Sequence, residues 1–345
     1  RSHPMKAGRF YGGKDIRVET LPDPEPGEGE VLIAVKAAGI CGSELHGYHM
    51  KTPRQRHPVT MGHEMAGEIV ALGPGVGTRK VGDRVAIEPL MPCLACDYCL
   101  QGRYQICRSL EHMLGGFAEL LTAKQENARP IPNGLSFDHG AVSEVYAVAV
   151  HALTRVPVAP GENVVVIGSG PVGLTIAEMA ALSGAGSVIV VGKPASPLTT
   201  IEEMIGARTI NVDEEDVREA IATYTDSKGA DVVFEAVGGM APTLAQAMTI
   251  TAPGGKIGMA GAQFTAKDLP MGYAQSRELS LHGIFCYGRR GLRSEFEIAI
   301  DLQAKGKLQT ESLITHRFPL DDVAQAFEAA DQKDKSGSIK VIVNP

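Results

Sequence analysis

Residues 163–173 read Asn163-Val-Val-Val-Ile167-Gly168-Ser-Gly170-Pro171-Val172-Gly173, a short β-branched run followed at once by spaced glycines. The first glycine allows a tight turn, the second lets the backbone approach a pyrophosphate, and the third lets a helix pack closely on the strand. An apolar pattern of helical length follows over 174–182, and a second strand is predicted over 187–191. This βαβ pattern predicts a dinucleotide site with the pyrophosphate at the helix N-terminus.

The alternation of strand and helix extends over residues 151–282, with further buried strands predicted at 231–234 and 256–259. Such alternation favours a doubly wound parallel sheet, so this region is expected to form the dinucleotide-binding domain. We expect the active site in a cleft between this domain and a second one, at the carboxyl ends of the strands.

The remainder of the chain has a different pattern. Residues 5–150 are rich in predicted strands and turns, which indicates a separate β domain. Residues 283–345 are expected to return to that domain. They contain predicted helices at 294–304 and 321–330, the second begun by an aspartate cap, and a final strand at 339–343.

Four cysteines lie close together in the spacing C-x2-C-x2-C-x7-C, at Cys93, Cys96, Cys99 and Cys107. Four thiolates in one short lobe are typical of a closed, tetrahedral zinc site with a structural role. Two disulfides, or clustered buried thiols, are the alternative. Cysteines at x2 spacing rarely bond to each other without strain, so the pattern favours zinc.

A second metal site is indicated by Cys41, His63 and Glu144. A thiolate, an imidazole and a carboxylate would leave the fourth position of zinc open for water or substrate, as in catalytic sites. Each residue also has a simpler interpretation: a buried cysteine, a structural histidine, or a carboxylate near a helix N-terminus. Their occurrence beside the four-cysteine lobe and the dinucleotide motif favours the metal site.

These motifs together resemble those of the zinc-dependent medium-chain alcohol/polyol dehydrogenases, a family that includes sorbitol and threonine dehydrogenases. The resemblance covers almost the whole chain. It implies an α/β-plus-β fold, in which a GroES-like β-barrel catalytic domain is joined to a doubly wound (Rossmann) domain. The shared motifs include Gly62-His63-Glu64, Val81-Gly82-Asp83-Arg84-Val85, Gly115-Gly116-Phe117-Ala118-Glu119 and Pro253-Gly254-Gly255.

The resemblance implies a role for each site residue. Cys41, His63 and Glu144 would ligate the catalytic zinc, with Glu64 as a neighbouring carboxylate or an interchangeable ligand. Glu44 would brace the zinc-bound imidazole. Ser43 would hydrogen-bond the substrate oxygen and His46 would pass its proton to solvent. The implied reaction is reversible hydride transfer between a small alcohol or polyol, or the matching ketone or aldehyde, and NAD(P).

One departure from the usual dinucleotide motif concerns the cofactor. The strand after the glycine turn usually ends in an acidic residue that binds the ribose 2′-OH of NAD. Here Gly192 and Lys193 follow the strand, so the carboxylate is missing and a cation is present. This favours NADP(H) over NAD(H), with a merely solvated Lys193 as the alternative. The expected cofactor contacts are Gly168, Gly170, Pro171, Val172, Gly173, Gly192 and Lys193.

Composition limits the other possibilities. The 345 residues include 33 basic and 40 acidic side chains, a net charge of −7 that argues against a nucleic-acid-binding module. No apolar run is long enough for a membrane span, and no signal peptide is visible, so we expect a cytoplasmic protein. Two zinc ions per chain and a homodimer or homotetramer follow from the resemblance. A threonine-type amino-alcohol dehydrogenase and a non-catalytic NADPH-binding relative remain alternatives.

Overall fold

A computed structural model describes residues 4–50, 58–193, 195–262 and 268–345. The strands are β1 (Met5–Gly12), β2 (Asp15–Leu21), β3 (Glu30–Gly39), β4 (Val59–Thr60), β5 (Glu64–Leu72), β6 (Arg84–Ile87), β7 (Leu90–Met91), β8 (Glu111–His112), β9 (Leu120–Lys124), β10 (Ala128–Pro130), β11 (Asn163–Ile167), β12 (Ser187–Gly192), β13 (Arg208–Asn211), β14 (Ala230–Glu235), β15 (Thr251–Met259), β16 (Ser280–Gly283), β17 (Arg289–Arg290), β18 (Arg293–Ser294), β19 (Ile314–Pro319) and β20 (Lys340–Asn344).

The α-helices are α1 (Gly42–His49), α2 (Asp97–Leu100), α3 (Phe137–Arg155), α4 (Pro171–Leu182), α5 (Ala195–Ile205), α6 (Val217–Tyr224), α7 (Thr243–Ile250), α8 (Met271–Ser276), α9 (Glu295–Ala304), α10 (Thr310–Leu313), α11 (Val323–Asp331) and α12 (Lys333–Ser336). Short 3₁₀ turns cover Tyr104–Ile106 and Leu320–Asp322. The chain divides into two compact units, residues 1–144 with 291–345, and residues 145–290.

The first unit is built on a sheet in the order β10-β6-β5-β3-β20-β19, with β9 also paired to β3. A smaller sheet has the order β2-β1-β4. Strand β20 pairs antiparallel with β3, with Ile342 opposite Gly39. The last strand therefore lies beside the segment that leads to Cys41, although the two are far apart in sequence.

The second unit contains one parallel sheet in the order β13-β12-β11-β14-β15-β16. The order reverses between β11 and β14, which is the switch point of a doubly wound sheet. The predicted doubly wound topology is confirmed. Its strands are β-branched runs buried on both faces, as expected for a sheet covered by helices on two sides; Val164, Val165 and Val166 are completely buried.

Two details of the predicted helices are wrong. The helix expected from residue 321 is preceded by a 3₁₀ turn, and Asp322 at its N-cap has φ −104° and ψ 21°, with no capping hydrogen bond from its side chain. The 3₁₀ turn keeps this residue out of the extended conformation that a cap requires. Glu144 does not begin a helix either. Helix α3 starts at Phe137, so Glu144 lies about two turns inside it.

Candidate metal centres and nucleotide site

The four cysteine sulfurs of the lobe converge on one point. Neighbouring pairs are separated by 3.4 Å (Cys107 to Cys93), 3.6 Å (Cys96 to Cys99) and 3.9 Å (Cys93 to Cys99, Cys96 to Cys107). Four zinc–sulfur bonds of about 2.3 Å in a tetrahedron place the sulfurs about 3.8 Å apart. All of these cysteines are free thiols, so the disulfide alternative is not adopted. The donor set fits zinc.

Backbone amides around the lobe also suit thiolates. The amides of Cys93 and Cys96 donate to the sulfurs of Cys107 and Cys93, each at 3.3 Å, and the Ser109 amide donates to Cys107 at 3.4 Å. A backbone hydrogen bond at Cys99 lowers the pKa of Cys96 to about 6. Burial raises the pKa of the Cys99 thiol to about 12, so a bound cation is what would hold all four sulfurs as thiolates together.

A buried polar network fastens the lobe to the sheet of the first unit. The Tyr104 hydroxyl donates to Glu88 Oε1 at 2.5 Å, and Arg129 donates to Glu88 Oε2 at 2.7 Å. A second guanidinium nitrogen of Arg129 reaches Glu297 on α9 at 3.0 Å. The lobe is therefore held by charge-assisted hydrogen bonds, since few of its own side chains are buried.

The second cluster forms where α1 begins. Cys41, Glu44 and His63 each offer a ligand atom within 4.8 Å of the others. Cys41 is extended just before the helix, and its backbone N–H donates to Glu44 Oε2 at 2.9 Å. The other oxygen, Glu44 Oε1, is hydrogen-bonded to His63 Nδ1. Glu44 thereby orients both the thiol-bearing segment and the imidazole, and leaves His63 Nε2 for a metal.

Two ionisable groups near this cluster, His63 and Glu144, have raised pKa values. Burial alone would lower the pKa of His63, but the Glu44 carboxylate and the Cys41 thiol raise it well above its ordinary value. Burial raises the pKa of Glu144 to about 7; His63 opposes this rise and Glu64 adds to it. Ligand atoms of His63, Glu64 and Glu144 also lie within 4.8 Å of one another. His63 thus belongs to two groups, one with Cys41 and Glu44 and one with Glu64 and Glu144, and their thiol, imidazole and carboxylate donors are of the kinds that zinc accepts.

Glu64 differs from the other carboxylates because it forms an ion pair with a buried lysine. Lys340 Nζ lies 2.7 Å from both Glu64 oxygens and donates a further hydrogen bond to the Ile40 carbonyl at 3.1 Å. Burial alone would lower the pKa of Lys340, but the Glu64 charge raises it, so the ammonium is retained. Of the two carboxylates grouped with His63 here, Glu64 is paired with a lysine, whereas Glu144 has no lysine partner among the described residues.

Ser43 and His46 lie on the exposed side of α1, in its first and second turns. The helix is anchored by its last turn. Tyr48 is buried and its ring packs at a tilt of 41° against Phe327, with centroids 5.3 Å apart, and His49 Nε2 lies 2.6 Å from Asp331. The contacts of Tyr48 and His49 with α11 therefore fix the position of helix α1.

The glycine turn of the second unit has the predicted local geometry. Gly168 has φ +119°, and a Cβ on Gly173 would lie 1.8 Å from the Gly168 carbonyl oxygen. Helix α4 starts at Pro171 with Gly170 as its N-cap, so its first amides are open toward the turn. Pro171 and Val172 form the first turn of this helix.

The end of β12 contains two contacts that sequence reasoning missed. A Cβ on Gly192 would lie 2.2 Å from Ser169 Oγ, so the Ser169 hydroxyl occupies the space of a side chain at position 192. Lys193 Nζ lies 3.6 Å from Asp213 Oδ1, with both side chains more than half exposed. The contact of Ser169 with Gly192 could have been suspected, because Ser169 lies inside the glycine motif. Asp213 follows the next strand, β13, and no motif around it indicates that it lies near Lys193.

The chain is similar to known dehydrogenases over almost its whole length. Residues 27–133 match the family described as "Alcohol dehydrogenase GroES-like domain", and residues 171–305 match "Zinc-binding dehydrogenase". The chain is 34% identical to sorbitol dehydrogenase of Bacillus subtilis (strain 168), over 99% of this chain and 97% of the relative. It is 32% identical to L-idonate 5-dehydrogenase of Vitis vinifera, over 98% of this chain and 94% of the relative.

A solved structure is also similar to this chain over its whole length. A putative zinc-binding dehydrogenase from Sinorhizobium meliloti 1021, bound to NADP, superposes with a TM-score of 0.89 at 32% identity, covering 99% of this chain and 100% of that one. The chain therefore belongs to the zinc-dependent medium-chain alcohol/polyol dehydrogenases, and the family resemblance and the GroES-like plus Rossmann fold are confirmed.

Family membership defines the class of reaction. The protein is an oxidoreductase that transfers a hydride between an alcohol or polyol, or the corresponding carbonyl compound, and NAD(P). Within the described residues, no helix combines the length and apolar character needed to cross a bilayer.

Proposed function

We propose that this enzyme binds two zinc ions per chain, one held by Cys93, Cys96, Cys99 and Cys107 and one by Cys41, His63 and Glu144, and that it oxidises a polyol with NADP⁺. The observation that supports the catalytic site best is the pairing of Lys340 with Glu64. It gives Glu64 a cationic partner and leaves Glu144 for the metal, which makes Glu144 the standing ligand in this proposal.

The chemistry follows from the donor set. Zinc held by Cys41, His63 and Glu144 would supply a Lewis acid that lowers the pKa of an alcohol, and NADP⁺ would supply the hydride acceptor. Glu44 keeps the proton on His63 Nδ1, so that Nε2 stays an acceptor for the metal. Ser43, at the start of α1 beside Cys41, would take the alcohol proton at its hydroxyl oxygen while it releases its own hydroxyl proton. His46, one turn further along the exposed face of the helix, would then receive a proton at its ring nitrogen and release it to solvent.

The preference for NADP(H) is supported by charge. Gly192 stands where the usual motif has an acidic residue, whose charge would repel a 2′-phosphate. Lys193 lies beside it and is largely exposed. Asp213 reduces the positive charge but lies 3.6 Å away, so a phosphate could still be reached by the lysine. Asp213 is therefore expected to weaken the preference without reversing it.

A polyol substrate is supported by the sorbitol and idonate dehydrogenases to which the chain is similar. We also propose that the enzyme is a homodimer or homotetramer and lies in the cytoplasm. Cysteines grouped as metal ligands rather than joined in disulfides support a reducing compartment. Light scattering of the purified protein tests the oligomeric state.

The first experiment is elemental analysis of the purified protein, combined with titration of NADPH and NADH. The expected result is about two zinc per chain and tighter binding of NADPH. His63→Ala should lose one zinc and all turnover while keeping the lobe zinc, whereas His316→Ala on β19 should keep both ions and full activity. An active His63→Ala enzyme, or one zinc in the unmodified protein, would refute the catalytic site.

A further inference from the structure

Glu235 is the last residue of β14 and is completely buried. It lies opposite Ile167, the last residue of β11, and opposite Met259 on β15. Since the strand order reverses between β11 and β14, Glu235 stands at the switch point, where doubly wound sheets bind dinucleotides.

The position of Glu235 relative to the switch point indicates which half of the cofactor would lie near it. The adenosine ribose is expected at the end of β12, and the pyrophosphate at the glycine turn after β11. A dinucleotide that spans the crevice must then place its nicotinamide half beyond β11, over β14 and β15. The two segments that follow these strands, residues 236–239 and 260–262, therefore border the nicotinamide half.

Glu235 connects these two segments through both its side chain and its backbone. Its Oε1 accepts hydrogen bonds from the amides of Val237 and Gly238, each at 3.0 Å, and from Thr243 Oγ1 at 2.6 Å. Its carbonyl oxygen accepts from the amides of Ala260 at 2.8 Å and Gly261 at 2.9 Å. One residue thus holds four backbone amides of two different segments.

The segments approach each other too closely for ordinary side chains. A Cβ on Gly261 would lie 2.3 Å from the Gly238 nitrogen and 2.6 Å from Glu235 Oε2. A Cβ on Gly238, which has φ +70°, would lie 2.2 Å from the Ala262 carbonyl oxygen. The Gly239 amide also donates to that oxygen at 2.8 Å. The two glycines let backbone meet backbone, and the carboxylate supplies the bonds that keep them there.

The second oxygen of the carboxylate differs from the first. Oε2 is buried, and no residue of the described part of the chain donates a hydrogen bond to it. The three donors all use Oε1, so a glutamine could present its carbonyl oxygen to the same donors without a charge. Glutamine is therefore the conservative replacement and should keep both segments in place.

We propose that Glu235 is a positioning residue that fixes segments 236–239 and 260–262 so that they hold the nicotinamide half of the cofactor. The proposal depends only on the use of NAD(P), which family membership establishes. It depends neither on the zinc count nor on the preference for a 2′-phosphate. Its failure is therefore distinguishable from failure of the proposed function.

The test compares Glu235→Ala with Glu235→Gln in two binding titrations. One ligand is the reduced dinucleotide that binds the unmodified enzyme more tightly. The other is the matching fragment without nicotinamide, ADP-ribose or its 2′-phosphate. Glu235→Ala should weaken dinucleotide binding about tenfold, in line with the loss of hydrogen bonds to a charged group, and change fragment binding less than about twofold. Glu235→Gln should bind both ligands like the unmodified enzyme.

Equal weakening of both ligands in Glu235→Ala would show a general structural role and overturn the proposal, as would unchanged binding of both. If Glu235→Ala does not fold, Thr243→Val provides the second variant, because it removes one of the three donors and leaves the carboxylate in place. It should weaken the dinucleotide about threefold without affecting the fragment. Unchanged dinucleotide affinity in a folded Thr243→Val enzyme would also overturn the proposal.

Discussion

Lys340 Nζ lies 2.7 Å from both carboxylate oxygens of Glu64, and the two side chains are 1% and 0% exposed. The ammonium also donates to the Ile40 carbonyl. The final strand of the chain is thereby bonded to the residue before Cys41 and to the residue after His63. A single buried cation positions two segments that bear proposed zinc ligands.

Replacing Lys340 with methionine should cost about 3–5 kcal/mol of unfolding free energy, because it leaves a buried carboxylate without its partner. Urea unfolding measures this loss. The double variant Glu64→Gln/Lys340→Met should recover part of it, since no uncompensated charge remains. Lys335→Met, at an exposed lysine of α12, is the control and should be neutral. A Lys340→Met protein as stable as the control would contradict the role assigned to the pair.

The lobe should lose its metal when one cysteine is changed. Cys96→Ser is expected to bind one zinc fewer than the unmodified protein, because three thiolates hold zinc far less tightly than four. Elemental analysis measures the count, and limited proteolysis should show new cleavage between residues 90 and 115. Cys286→Ser, a cysteine outside the lobe, should retain the full zinc content. An unchanged zinc count in Cys96→Ser would refute a four-thiolate site.

Tyr104→Phe tests how the lobe is attached to the sheet. Removing the hydroxyl deprives the buried Glu88 carboxylate of one of its donors and should cost about 1.5–3 kcal/mol. Zinc content should be unchanged, because the cysteines are untouched. Thermal unfolding gives the loss of stability, and Tyr98→Phe, on the partly exposed helix α2, is the matched control. Loss of zinc without loss of stability would contradict this division of roles.

The pH dependence of stability should reveal the anchor of helix α1. Burial would raise the pKa of Asp331, but hydrogen bonds from Lys14 and His49 lower it below its ordinary value of 3.8. The unfolded state then binds more protons near pH 4, so the stabilisation is present above that range and is lost as the pH falls through the lowered folded-state pKa.

Asp331→Asn should therefore be less stable than the unmodified protein by about 1 kcal/mol at pH 7, with the difference shrinking below about pH 4. Chemical unfolding at several pH values provides the measurement. Asp334→Asn, at an exposed carboxylate of α12, should show no such trend. A difference that grows on acidification would show that the sign of this argument is wrong.

Local patterns predicted the local structure well. The strand expected at 163–167 coincides with β11, because a β-branched run ends abruptly at glycine. Glu144 was given a position near a helix N-terminus as its alternative, whereas α3 begins at Phe137, because residues 137–143 lack a continuous apolar pattern. Lys340 could not have been predicted. It lies 276 residues from Glu64, and within its strand it is one lysine among apolar residues, a pattern that usually marks an exposed position.

Lys193 is the cation expected to recognise the 2′-phosphate of the cofactor. Lys193→Ala should weaken NADPH binding about tenfold and leave NADH binding nearly unchanged, because only the 2′-phosphate needs the cation. Asp213→Asn should strengthen NADPH binding slightly, since it removes the carboxylate that faces Lys193. Lys228→Ala, at an exposed lysine of the same unit, should change neither affinity. Fluorescence titration with both reduced cofactors measures the ratio of the two affinities. An equal effect of Lys193→Ala on NADPH and NADH binding would refute the preference for NADPH.

Restoring the missing carboxylate should require two changes. Gly192→Asp alone should bind neither cofactor well, because its Cβ would lie 2.2 Å from Ser169 Oγ and 2.5 Å from Ser169 Cβ. Ser169→Gly/Gly192→Asp removes that clash and places an acceptor at the ribose, so it should favour NADH over NADPH by about tenfold. Ser169→Gly alone is the control and should retain the original preference. If Gly192→Asp alone binds NADH tightly, Ser169 does not restrict this position.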